Sequence, residues 1–252
     1  MNKLHRLALA ASIALGCSVA GAASVHVKFD NPIFNGTPAP SYDAVTISYP
    51  TLAGGSASAS VAAGRFQGTA SNLVGIDASA FVDGVDDLFM YCYDLYETVS
   101  PGQEADFTIN FDGATARTLQ FLGAVNSVLS AGGPLDPYAW LHPIDGLMGA
   151  AIQLGIWESR YDSGWNIGSG AFRASGLEAG TVGYLNSFFG ALPGAAPLDS
   201  RYVMTLEARG IQDMITGDPP GADVPEPGTL LLAGAALAAV AARRRKKADL
   251  AL

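Results

Sequence analysis

Three observations predict an α+β fold in which sandwich-like or barrel-like β-strands enclose an inserted helical subdomain. Strand-like alternation opens the chain at Val25-His26-Val27-Lys28-Phe29 and returns near its end at Tyr202 to Ala208. Between these, Thr115 to Phe189 carries three stretches with apolar residues at helical spacing. The 252 residues include 30 glycines and 14 prolines, placed so as to break the strand-like stretches from one another, and 49% are hydrophobic, which excludes wholesale disorder.

The elements follow in order. Val25 to Phe29 and the β-branched run Ala44 to Tyr49 read as strands, joined by a loop through Pro32, Gly36, Pro38 and Pro40. Leu52 to Gly64, rich in Gly, Ala and Ser, reads as a flexible connector or a weak strand. Arg65 to Thr69, Leu88 to Tyr96 and Ala105 to Phe111 are further strands, the last two bracketing a turn at Ser100-Pro101-Gly102-Gln103. From Thr115 to Leu129 the period changes, with Leu119, Leu122, Val125, Val128 and Leu129 on one helical face. Helices are also predicted over Ile144 to Tyr161 and Glu178 to Phe189. Residues 24–210 form the ectodomain, large enough for a real core, and 211–223 read as a linker.

Charge narrows the function classes. Residues 24–223 hold 7 basic and 21 acidic residues, about −14 in formal charge, which would repel a phosphate backbone and excludes nucleic acid as a partner. His26 and His142 are the only histidines beyond the N-terminal segment that holds the first apolar run, so a multi-histidine metal centre is not expected, and no cofactor or metal is assigned. Asp77, Asp83, Asp86 and Asp87 gather in one stretch but lack EF-hand spacing, which reads as a solvated acidic loop. His142, Asp145 and Cys92 imitate a cysteine hydrolase triad without its local signatures, so no catalytic residue and no enzyme is expected. Trp140, Trp157 and Trp165 offer a sugar-binding face or, more simply, core.

Both ends read as addresses. Lys3 and Arg6, the apolar run Leu7 to Leu15 and Ala20-Gly21-Ala22-Ala23 make residues 1–23 a secretory signal, cut by signal peptidase after Ala22 or Ala23. Acylation at Cys17 is the rival reading, poorly matched by its flanking residues. At the other end, Val224-Pro225-Glu226-Pro227 precedes an apolar stretch and then Arg243, Arg244, Arg245, Lys246 and Lys247. Thr229 to Ala242 is 14 residues, roughly 21 Å as a helix against about 30 Å of hydrocarbon, and the cationic cluster would stay cytoplasmic. This order resembles the PEP-CTERM sorting signal of Gram-negative bacteria. The resemblance, over 224–247, implies recognition by an exosortase, cleavage near Pro225-Glu226-Pro227, and a precursor held briefly in the inner membrane by its single C-terminal hydrophobic helix. It implies a product at the cell envelope or surface, or released.

Chemistry concentrates at two places. In Gly146 to Trp157, Gln153 is the only side chain with conventional hydrogen-bonding capacity besides the Trp157 indole. A helix apolar all round is buried all round, so Gln153 needs a partner or has reacted. Cys92 lies in Leu88 to Tyr96, where strand alternation puts Met90 and Cys92 on one face and Tyr91 and Tyr93 on the other. With the signal removed it is the lone thiol. Tyr91-Cys92-Tyr93 and Ile152-Gln153-Leu154-Gly155-Ile156-Trp157 resemble the two motifs of bacterial surface thioester domains, over residues 88–160, with Gly155 and Ile152 where that family favours Ala and Thr. The resemblance implies a Cys92–Gln153 thioester in surroundings shaped by Tyr91, Tyr93 and Trp157. It implies covalent capture of an amine-bearing protein or a surface glycan. The alternative is a non-covalent structural or adhesive protein of a biofilm matrix with an inert Cys/Gln pair.

Overall fold

The computed structural model describes residues 22–35 and 37–219. The expected signal peptide up to residue 21, Cys17, the sorting motif Val224 to Pro227, the C-terminal hydrophobic stretch and Arg243 to Arg245 lie outside the described residues.

Nine strands and three α-helices are described: β1 (Ser24–Phe29), β2 (Asp43–Pro50), β3 (Ser56–Ala63), β4 (Phe66–Val74), β5 (Leu88–Cys92), β6 (Glu104–Asn110), α1 (Ala116–Leu129), α2 (Gly146–Tyr161), β7 (Arg173–Ser175), α3 (Ala179–Ala191), β8 (Val203–Glu207) and β9 (Met214–Gly217). Six strands close a barrel in the order β1-β4-β5-β9-β8-β6, every neighbouring pair antiparallel. Closure leaves no open edge in that sheet. The predicted barrel-like α+β architecture is thus present, with the three helices inserted between β6 and β8.

The alternation of β1 sets the inside of the barrel, because Val25, Val27 and Phe29 are buried while Lys28 is exposed. Register carries that face around the sheet: Val25 opposes Phe107, Leu206 opposes both Ile109 and Met214, and Met214 opposes Cys92. The Cys92 side chain therefore faces inward with Met90, as the strand alternation predicts. Tyr91, on the outer face, is also buried, so β5 is covered on both sides.

A second sheet, β3-β2-β7, holds Val45 and Ile47 against the core, and packs against α2. The Gly/Ala/Ser segment forms β3 after all, since its small side chains pair along the whole of β2 from Asp43–Ala63 to Pro50–Ser56. Two of the three helices start at a side-chain cap: Thr115 accepts from the Thr118 N–H before α1, and Asp145 from the Met148 N–H before α2. Thirteen of the 16 residues of α2 are buried, which makes it the central helix. Gly155 lies against the Phe121 ring, which occupies the space a Cβ would need. That close approach leaves no room for a side chain at this position.

One boundary needs correction. The span 211–223, expected as a linker, includes β9, whose four residues are all buried and close the barrel between β5 and β8. Four residues followed by Asp218-Pro219 are too few to show a period, and the flanking Gly210 and prolines disguise them. The short β7 was likewise illegible, being a three-residue addition to the edge of β2.

Candidate functional site

The site begins where two strands part. β4 and β5 pair from Gly68–Leu88 to Phe66–Met90, and continuing the register would set residue 64 opposite Cys92. β4 begins at Phe66, so the outward backbone groups of Cys92 lose their strand partner on that side. Gln153, projecting from α2, takes its place. The Cys92 N–H donates to Gln153 Oε1 at 2.8 Å, and Gln153 Nε2 donates to the Cys92 carbonyl at 2.8 Å. The carboxamide extends the ladder as a strand residue would, across 61 positions of sequence. Gln153 is wholly buried and Cys92 nearly so.

Of the three expected neighbours, Trp157 lines a cavity with Cys92, whereas Tyr91 and Tyr93 flank Cys92 in sequence and bond elsewhere. Tyr91 donates its hydroxyl to the Trp140 carbonyl at 3.1 Å, and burial pushes that hydroxyl strongly upward in pKa. Tyr93 donates to the Gly113 carbonyl and accepts from the Thr115 N–H at 2.8 Å, while the Arg160 guanidinium lies over its ring. Trp157 donates its indole N–H to the Asp94 carbonyl at 3.2 Å. Cys92 and Trp157 line a cavity of about 390 Å³ with Tyr49, Phe66, Leu95, Glu97 and Gln212. Burial, then the nearby Asp94 charge, pushes the Cys92 thiol well above its ordinary pKa. A thiol held protonated is a poor free nucleophile at neutral pH.

Other sequence candidates disperse. His142 Nε2 pairs with Asp83 at 2.9 Å and its Nδ1 lies 3.1 Å from the Tyr138 carbonyl, whereas Asp145 is engaged by the Met148 N–H and the Tyr184 hydroxyl. No Cys–His–Asp array forms among them. Asp77 caps a single 3₁₀ turn and Asp87 accepts from Gln67. Trp140 and Trp157 are core residues, and Trp165 stacks with Arg117, whose guanidinium carbon is 4.1 Å from its ring centroid.

Sequence reasoning missed Asp94, Glu97 and Asp213, whose carboxylates converge beside Cys92. Asp94 and Glu97 are three apart just after β5, a spacing that offered a signal. Asp213 lies in the span expected as a linker, immediately before β9.

The PEP-CTERM protein-sorting motif matches residues 223–246, about a tenth of the chain, in agreement with the order of motif, apolar stretch and basic tail. No curated protein and no solved structure matches the chain. The motif marks an exported protein with a C-terminal sorting signal for processing by an exosortase. Among the described residues, no helix is long and apolar enough to cross a membrane.

Proposed function

We propose that this exported, exosortase-sorted protein attaches covalently to a target through a thioester joining Cys92 Sγ to the side-chain carbonyl carbon of Gln153. The observation that carries the reading is the docking of the Gln153 carboxamide on the backbone of the very residue whose thiol would attack it. In the step, the C–S bond forms as the C–N bond breaks, and the thiol proton leaves with the nitrogen as ammonia. The Cys92 N–H, already 2.8 Å from Gln153 Oε1, is the donor that a developing oxyanion needs. The raised thiol pKa fits a group that reacts only when confined beside its partner, and it weighs against a freely turning-over cysteine enzyme.

An amine from a surface protein, or a glycan hydroxyl, would then take the acyl group of Gln153 and free the Cys92 thiol. This is a single-use attachment and not enzymatic turnover. The precursor would be trimmed by signal peptidase at its start, held transiently in the inner membrane by its C-terminal helix, and released to the envelope or matrix by exosortase.

A second reading rests on the same bonds. Both ends of the carboxamide are satisfied as in a β-ladder, which suits a structural staple in a non-covalent matrix or adhesive protein. Intact mass separates the two. A thioester makes the purified native protein about 17 Da lighter than its processed sequence, a deficit erased by methylamine and absent in Cys92→Ala. A full-mass protein whose thiol is alkylated only on unfolding supports the staple instead.

A further inference from the structure

We propose that Asp94, Glu97 and Asp213 form a binding site for one hard divalent cation of the calcium class, independent of whether the thioester forms. Asp94 lies two residues beyond β5, Glu97 in the loop after it, and Asp213 immediately before the neighbouring β9. The backbone there is held from several sides. The Tyr93 N–H donates to the Asp213 carbonyl at 2.7 Å, and Gln212 Nε2 and the Trp157 indole both donate to the Asp94 carbonyl.

Each carboxylate offers one oxygen, and these oxygens all lie within 4.8 Å of one another. An ion about 2.3–2.6 Å from each ligand requires no larger separation. Glu97 and Asp213 are oriented by single backbone bonds, from the Gly210 N–H at 2.9 Å and the Ala208 N–H at 3.1 Å. Asp94 is different. It is only 6% exposed, and its Oδ1 has no hydrogen-bond partner among the described residues. A buried carboxylate with one oxygen left unpartnered beside two other carboxylates suits a positive counter-charge. The Arg160 charge favours the ionised forms of Asp94 and Asp213, but its guanidinium carbon sits 3.9 Å from the Tyr93 ring centroid and among the described residues it forms no ion pair with any of the three.

An all-oxygen ligand set selects a hard ion over zinc or copper. Glu97 also lines the cavity shared with Cys92, which provides an entry path. With three protein carboxylates and solvent completing the shell, affinity should sit near the range of extracellular modules, about 10⁻⁴–10⁻³ M.

The test uses the purified protein stripped with EGTA and titrated with terbium and then calcium. Trp157, bonded to the Asp94 backbone, should sensitise terbium emission that saturates at one ion per chain and is displaced by calcium. Calcium should raise the thermal midpoint. Glu97→Gln and Asp213→Asn should each weaken binding by about tenfold or more with unchanged circular dichroism. Absence of sensitised emission and of any calcium-dependent midpoint shift up to about 10 mM in the wild-type protein would overturn the site, and that arm stands even if a variant fails to fold. Binding retained by both folded variants, or abolished instead by Asp83→Asn with Asp86→Asn, would overturn it as well.

Discussion

The seam between β5 and α2 and the sheet β3-β2-β7 meet the same demand for backbone hydrogen bonds in different surroundings. Along β3, exposed serines alternate with half-buried alanines, and its outer edge relies on water. At the seam, Cys92 and Gln153 are buried, β4 has turned away, and one side chain supplies both missing bonds. The helices differ in the same sense: α2, which packs against both regions, is buried over nearly its whole surface, whereas α3 buries only Thr181, Leu185 and Phe188. Where water is excluded, polar residues become specific and hard to replace. Where it is admitted, composition suffices.

The largest expected effect falls on Gln153. Gln153→Leu keeps the apolar volume but orphans a buried N–H and a buried carbonyl, each costing about 1–3 kcal/mol, so denaturant unfolding should show a loss of about 3–5 kcal/mol. A loss below about 1 kcal/mol would mean that the Cys92 backbone finds another partner and that the seam is less closed than the contrast requires.

A smaller effect sharpens the contrast through Glu158, which is fully buried near the end of α2. Its Oε1 accepts from the Asn166 N–H at 2.7 Å, while its Oε2 has no partner among the described residues. Burial above all pushes its pKa up to about 7. The folded protein therefore holds this proton between roughly pH 4.5 and 7, where the unfolded chain has released it. Stability should fall as pH rises through that window, and Glu158→Gln should flatten the fall. Asp94 is also pushed up to about 7, chiefly by burial, and adds a slope of the same sign. The difference between wild-type and variant profiles, measured in EGTA, isolates Glu158. Parallel profiles would show that Glu158 is better solvated than its position implies.

The smallest effect belongs to the open sheet. Ser60 is exposed on β3 opposite Thr46, so Ser60→Thr should change unfolding free energy by no more than about 0.5 kcal/mol, with any gain coming from strand propensity. A substantially larger loss would reveal a covered face and erase the distinction between the two regions.

Period and punctuation made much of the fold legible. Val25 to Phe29 declared its inner face by alternation, and the helical spacing from Thr115 and from Ile144 located α1 and α2 to within two residues of their starts, where the structure places Thr115 and Asp145 as caps. Elements of three or four residues were not legible, because β7 and β9 are shorter than any period and exist by pairing with β2, β5 and β8. At the site, Gln153 was conspicuous as a polar residue in an apolar helix, and Cys92 as a lone thiol. Asp213 carried no comparable signal, since only its return beside β5 brings it to Asp94 and Glu97.

The sequence by itself determined the sorting address and the faces that must be buried. Those properties depend on residue order and local periodicity, and they are read by export machinery or satisfied by any compatible core. Tertiary structure alone decided that Gln153 would complete the hydrogen bonding of Cys92 and that three carboxylates would share one corner. Both juxtapositions require distant strands to close a barrel and β4 to part from β5 at Phe66, and backbone bonds left open in a dry interior must be met by whichever polar group the packing brings there.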